Sequence, residues 1–218
     1  MKPIIVQSSV SAETWAPVQD ALLNGVVHAA NNRVAALGGI LQLQELEIAT
    51  PQEGIKSVRD EFAMLRTLME RFRELCAKRG ERKEPARLTE ALRGASLLLA
   101  QHAEARQWTL KIAEEPRDVE PVLLWPSDPL RFAVLLVLAG GPEESGGAVE
   151  MITLQNGPSV ELTLLSPVSA AVVELRPECI GLRAAAVLEG GTLTAVSTPA
   201  GVAMTLGLPG LSAAAARA

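Results

Sequence analysis

The hydrophobic pattern of this 218-residue chain changes period partway along, and the change divides it. Apolar or small residues first recur at Leu23, Val27, Ala30, Val34, Leu37, Leu41 and Ile48, stepping four and three alternately, with Gln44 interrupting the stripe. That is the period of a helix committed to a left-handed bundle. It is predicted to start near Ser11 to Thr14 and to run to about Ile48; residues 1–12 read equally well as a short strand or an extended arm. Thr50-Pro51-Gln52-Glu53 is a capping box with proline at the first helical position, so Thr50 is expected to cap a second helix. That helix carries Ile55, Val58, Phe62, Leu65, Met69, Phe72 and Cys76, with arginines, lysine and acids on its other faces. Two long amphipathic helices joined by so short a turn make an antiparallel hairpin. A lone hairpin leaves part of each stripe wet, and pairing two of them into a four-helix bundle covers it. A homodimer is therefore expected, with residues 1–79 as its dimerisation domain.

Charged residues with glycine and proline, Lys78 to Pro85, read as a linker or exposed crossing. Beyond them the period shifts. Thr89 to Glu104 is predicted helical, with Leu92, Ser96, Leu99 and Ala103 on one side. Trp108 to Ala113 alternates like a strand, and Val122 to Trp125 is a short buried strand. Ser127-Asp128-Pro129 opens an apolar helix through Ala139, stopped by Gly140-Gly141-Pro142. Strands at about Ala148–Leu154 and Ser159–Leu165 flank the turn Gln155-Asn156-Gly157-Pro158. A helix near Ile180–Leu188 ends at Gly190-Gly191, and strands Thr192–Ser197 and Val202–Leu208 follow. Helices interleaved with hairpins indicate an α/β sandwich over residues 86–211, with helices on one face of a mainly antiparallel sheet. The expected class is thus α+β: a helical hairpin forming a dimeric four-helix bundle, then an α/β sandwich. The alanine-rich tail after Leu211 is expected to fray.

Composition narrows the function. Apolar residues make up 48% of the chain, enough for a full core, and the formal charge of −5 gives no basic face for nucleic acid. Tyrosine is absent and aromatics are 3%, which disfavours recognition of bases or sugars by stacking. Cys76 and Cys179 are far apart in sequence, with no CxxC and no Cys/His cluster, so neither a disulfide framework nor a zinc site is expected. The N-terminus turns polar before a signal-peptide core develops, and the longest apolar run, Phe132 to Ala139, is too short for a bilayer. The expectation is a cytoplasmic protein without membrane or nucleic-acid partners.

The candidate chemistry lies in Gly25-Val26-Val27-His28-Ala29-Ala30-Asn31-Asn32-Arg33-Val34. His28 sits beside the helical stripe and Asn32 one turn further on, so the two share a face. A histidine at the rim of a bundle, with an amide within reach, is placed to meet a partner protein. The bland readings are a surface histidine and asparagines that only solvate the helix. Elsewhere, His102 reads as an ordinary helix-surface residue, Asp128 as a helix-start residue, and the glycine pairs as helix stops.

Taken in order over about residues 18–209, these segments resemble the catalytic core of a bacterial histidine kinase. Val27-His28-Ala29-Ala30-Asn31-Asn32 resembles that family's phosphoacceptor box, where asparagine or threonine stands four positions after the histidine. Asp128-Pro129-Leu130-Arg131 with its helix, the segment Gly181 to Leu193, and the hairpin Pro199 to Pro209 resemble the ATP-binding domain. The departures are informative. The kinases' magnesium-holding asparagine has no counterpart in Val134-Leu135-Leu136-Val137-Leu138-Ala139-Gly140-Gly141. The D-x-G-x-G turn that reads adenine is missing between Ser166 and Cys179, with no room for a lid. Ala29 stands where kinases place an acid to accept the ring proton. The resemblance therefore implies a dimeric histidine phosphotransferase of a two-component phosphorelay with a degenerate ATP-binding domain. His28 would pass phosphoryl groups to and from receiver-domain aspartates of response regulators, helped by Asn32 and less directly by Asn31, with phosphatase activity as a possible extra. It would need no cofactor of its own: the receiver brings the magnesium, and ATP binding is not expected. The competing reading is a non-catalytic pseudokinase scaffold that dimerises and binds regulators or a kinase.

Overall fold

The computed structural model describes residues 8–46, 51–76, 82–142 and 147–216. Its first helix, α1 (Ala12–Glu45), is 34 residues long, which at 1.5 Å per residue is about 51 Å. The second, α2 (Pro51–Cys76), begins at the predicted proline. Ile48 and the Thr50 cap lie outside the described residues. The two helices form a hairpin, tied by the half-buried ion pair Arg33–Glu61 at 2.6 Å.

After the hairpin come β1 (Glu84–Ala86), α3 (Leu88–Leu99), a 3-10 turn at Ala105–Gln107, β2 (Thr109–Ile112) and β3 (Val122–Leu124). Then follow α4 (Asp128–Gly140), β4 (Ala148–Asn156), β5 (Ser159–Ser166), α5 (Ala170–Leu175), α6 (Pro177–Leu188), β6 (Thr192–Thr198), β7 (Gly201–Pro209) and α7 (Leu211–Ala215). Five strands form one sheet in the order β2-β4-β5-β7-β6, in which β2 and β4 are parallel and all other pairs antiparallel. One face of the sheet, with Val149, Met151, Leu162, Leu164, Met204 and Leu206, is sealed by the helices. The molecule is α+β, a helical hairpin followed by an α/β sandwich, as the patterning predicts.

Several local expectations are corrected. Glu84-Pro85, read as the end of a linker, form β1, which pairs antiparallel with β3. Helix α3 stops at Leu99, five residues short of the predicted end, and its buried side is Leu88, Leu92, Ala95, Leu98 and Leu99, with Ser96 and Ala103 outside it. The short α5 was not anticipated, and the tail is helical over α7 rather than frayed through its length.

Helix α1 carries a second apolar stripe that the patterning did not single out. The predicted stripe is largely exposed: Leu23 is 39%, Val27 50%, Val34 59% and Leu41 54% accessible. A second stripe, Trp15, Val18, Leu22 and Val26, is buried instead and joins the core of the sandwich. The first half of α1 therefore lies against the α/β layer. Burying such side chains contributes about 1.5–3 kcal/mol each relative to exposure. Arg131 of α4 stacks on the Trp15 ring, 5.1 Å from its centroid. On α2 the same division appears: Leu68 is buried, while Ile55, Phe62 and Met69, seven residues apart, stay exposed.

Close approach is enforced at Gly25. A Cβ there would collide with the backbone carbonyl of Gln101, at the end of α3. At Gly38, on the same helix, a Cβ would meet nothing within 4 Å. Gly25→Ala is expected to destabilise by about 1–3 kcal/mol through overpacking, despite alanine's better helix propensity. Gly38→Ala should stabilise by up to about 1 kcal/mol. Denaturant titration of the two variants side by side checks both signs.

Candidate functional site

A helix turns about 100° per residue, so side chains on α1 sort by angle. The buried stripe of Trp15, Val18, Leu22 and Val26 occupies one side and the exposed apolar stripe another. His28 belongs to neither: it shares a third side with Asn32, Ala35 and Gly39. His28, Asn31 and Asn32 are all exposed. Gly25, packed against the end of α3, borders this side, so His28 stands one turn from the junction of hairpin and sandwich.

Asn32 Nδ2 lies 3.1 Å from His28 Nε2. An amide nitrogen can only donate, so Nε2 accepts and the proton of the neutral ring sits on Nδ1. The arrangement keeps a lone pair on Nε2, the nitrogen furthest from the helix backbone. Asn31 is also exposed but makes no hydrogen bond to the ring. Of the three candidate residues, the structure brings His28 and Asn32 together and leaves Asn31 apart. Ala29 is half-buried against the core. An acid at that position would be pressed into apolar surroundings.

In the α/β domain the surroundings of α4 are filled by the chain itself. Along α4 every residue from Asp128 to Gly140 except Arg131 is buried. A helix buried along nearly its whole length offers a ligand almost no polar face. Its N-terminal end is occupied by the chain's own arm: Ser8 Oγ donates to Asp128 Oδ1 at 2.5 Å and the Ser9 amide to Oδ2 at 2.9 Å. Burial pushes the Asp128 carboxyl above its usual range, against the pull of these hydrogen bonds. Ser9 Oγ donates to Glu189, whose other oxygen holds Lys83 at 2.5 Å. The helix-start reading of Asp128 is right for its position, since it opens α4, but its carboxylate serves the arm rather than its own helix.

At the other end, Arg176 Nη1 donates to the carbonyls of Leu138, Ala139 and Gly141 at 3.1, 2.9 and 2.6 Å. A cation closing a helix C-terminus satisfies carbonyls that have no intrahelical partner. Trp108 packs so closely on Gly141 that a Cβ there would enter its ring. Sequence reasoning missed Arg176; the only local signal was an arginine just before the proline that opens α6. It also misplaced His102, which is 8% exposed in the turn after α3 rather than on a helix surface.

In overall layout the chain is similar to the Acinetobacter baumannii histidine kinase AdeS, at 14% identity and a TM-score of 0.46, over 84% of this chain and 98% of that one. It is similar also to the ATP binding domain of PrrB from Mycobacterium tuberculosis, at 17% identity and a TM-score of 0.46, over 59% of this chain and 97% of that one. The catalytic domain of histidine kinase ThkA gives 13% identity and a TM-score of 0.45, over 59% and 97%. No family model matches the sequence, and no curated protein matches it. No helix among the described residues is long and apolar enough to cross a membrane.

The Asn32 contact makes a spectroscopic prediction. Long-range proton–nitrogen correlation spectra should show His28 chiefly as the Nδ1–H tautomer in the native protein. In Asn32→Leu the ring should relax several-fold toward Nε2–H.

Proposed function

We propose that this chain is a dimeric histidine phosphotransferase of a two-component phosphorelay. His28 Nε2 attacks the phosphorus of an aspartyl phosphate on an incoming receiver domain. The nitrogen–phosphorus bond forms as the bond to the aspartyl oxygen breaks, and the carboxylate leaves with that electron pair. The reverse step delivers the group to a second receiver. Magnesium belongs to the receiver, so the transferase side needs only a reachable nucleophile in the right tautomer.

The observation that carries this reading is the exposed His28 ring with Nε2 held as an acceptor by Asn32. The helix bearing it is anchored from another side. When Nε2 attacks, the Asn32 amide is released and stands within reach of a phosphoryl oxygen, which makes Asn32 a positioning residue. Two further features support the reading. The exposed stripes Leu23, Val27, Val34 and Leu41 on α1 and Ile55, Phe62 and Met69 on α2 suit the interior of a four-helix bundle made with a second copy. The enclosed α4 and the inward Ala29 leave neither a nucleotide-holding face nor a base for ATP-driven phosphorylation. The sandwich then serves as the platform beside which the receiver docks, because His28 borders the α3 junction.

The test is transfer of label from a phosphorylated receiver, run beside radiolabelled ATP. Label is expected on the native protein from the receiver alone, and none on His28→Ala. Asn32→Ala should slow transfer by about tenfold, the worth of one hydrogen bond. Binding of the receiver without transfer would make the protein a scaffold. Labelling from ATP would contradict the account of the sandwich.

A further inference from the structure

The two edges of the five-stranded sheet are built differently. At one edge, β2 is four residues long and carries the exposed Lys111, and both features discourage a further strand from pairing. At the other, β6 is seven residues long, with no charge, no proline and an unbroken register against β7. Thr192, Thr194, Val196 and Thr198 give it the β-branched character that favours pairing. Only Pro199 and Ala200 stand between the strands, so Thr198 and Gly201 are the closing hydrogen-bonded pair. Alternation then turns the N–H and C=O groups of Leu193, Ala195 and Ser197 away from β7. Among the described residues nothing bonds to these outward groups.

Helix α6 lies over β6 and β7, with α4 along one flank. Its opposite flank, on the side of the β6 edge, carries Ile180, Ala184 and Val187. All three are exposed, Ile180 by 56% and Val187 by 64%. Beside them Val196 of β6 is 59% exposed and Leu175 of α5 is 80% exposed. The nearest charges, Glu174 and Arg183, are paired with each other at 3.4 Å. An apolar ridge with its charges balanced therefore runs alongside an open row of backbone donors and acceptors.

These features select a second copy of the chain as the occupant. A two-fold axis at Ala195 pairs β6 antiparallel with its own equivalent. Ala195 then faces Ala195 and Leu193 faces Ser197, so the outward groups of one strand bond those of the other. Thr194 stands opposite Val196, a favourable pair, and no like charges are opposed. Because the axis is perpendicular to the sheet, the two α6 helices lie on the same face with their exposed flanks turned toward each other. A lone extended peptide covers the strand but leaves the ridge wet, whereas a second copy covers both. We propose that β6 and α6 form an isologous interface that joins two sandwiches into one continuous sheet. It is separate from the stripes on α1 and α2 and does not rest on how the hairpins pair.

Amide hydrogen exchange and sedimentation velocity of the intact chain, from about 10 to about 500 µM, test the interface. The amides of Leu193, Ala195 and Ser197 should slow several-fold as concentration rises, in step with a growing sedimentation coefficient. Val196→Lys, on the solvent side of an edge strand, should weaken this association about tenfold, and Val187→Lys on α6 should do the same. Leu154→Lys, a comparably exposed site on β4, should leave it unchanged. Hairpin pairing also raises the sedimentation coefficient, but it protects amides of α1 and α2 and is indifferent to these lysines. Protection of the three β6 amides that is equal at every concentration and survives both lysines would assign the edge to a segment of the same chain and overturn the proposal. Amides that stay unprotected throughout would overturn it as well.

Discussion

The structure depends on the burial of one side of α1 against the α/β layer. Trp15, Val18, Leu22 and Val26 enter the same core as α3, α4 and α6, and Gly25 lets the helix come down onto the turn that follows α3. Once that side is fixed, the helix cannot rotate, and the rest of its surface is assigned by angle alone. An apolar stripe is left facing water and His28 is held on a side of its own. A histidine on a free-standing hairpin would share the hairpin's motion; here the His28 ring is referred to the sandwich by about three turns of packed helix.

The same packing accounts for the state of α4. In a domain that holds a ligand on this helix, one side must remain polar and open. Here the sheet closes one side, α3, α6 and α1 close the others, Arg176 closes the C-terminal end, and the arm closes the N-terminal end through Asp128. Two of these contacts, from Ser8 and Ser9, reach Asp128 from far away in sequence, and Ser9 is itself tied to Glu189 after α6, which holds Lys83 before β1. Removing the arm would leave Asp128 buried without its donors, an expensive state for a carboxylate. The arm thus belongs to the sandwich even though it precedes the hairpin.

Much of this layout was legible in the chain. Helix α2 begins at the proline expected to open it, Pro51, and the strand pairs around Asn156-Gly157 and Ala200-Gly201 fall where turn chemistry places them. What misled was α1. It carries two apolar stripes, and a count of threes and fours picks out the one with the longer run, Leu23 to Leu41. The shorter, Trp15 to Val26, is recognisable only when its partner surface is known. His102 was misplaced for a related reason: α3 ends at Leu99, and a residue beyond a helix end takes its environment from the turn. The long-range pairs Ser9–Glu189 and Arg176 with the end of α4 have no signature in local sequence. The His28 and Asn32 pairing was legible because i and i+4 are neighbours on any helix.

Amide hydrogen exchange along α1, measured at several protein concentrations, tests the central claim most directly. If the first half of the helix is fixed to its own sandwich, amides of residues 18–29 exchange only through global unfolding, and their protection does not change on dilution. If a second copy covers the exposed stripe, as proposed, amides of residues 34–45 lose protection as the protein is diluted. Rapid exchange of residues 18–29 at every concentration, or a loss of protection in step with residues 34–45, would show a hairpin that swings free and would contradict the account.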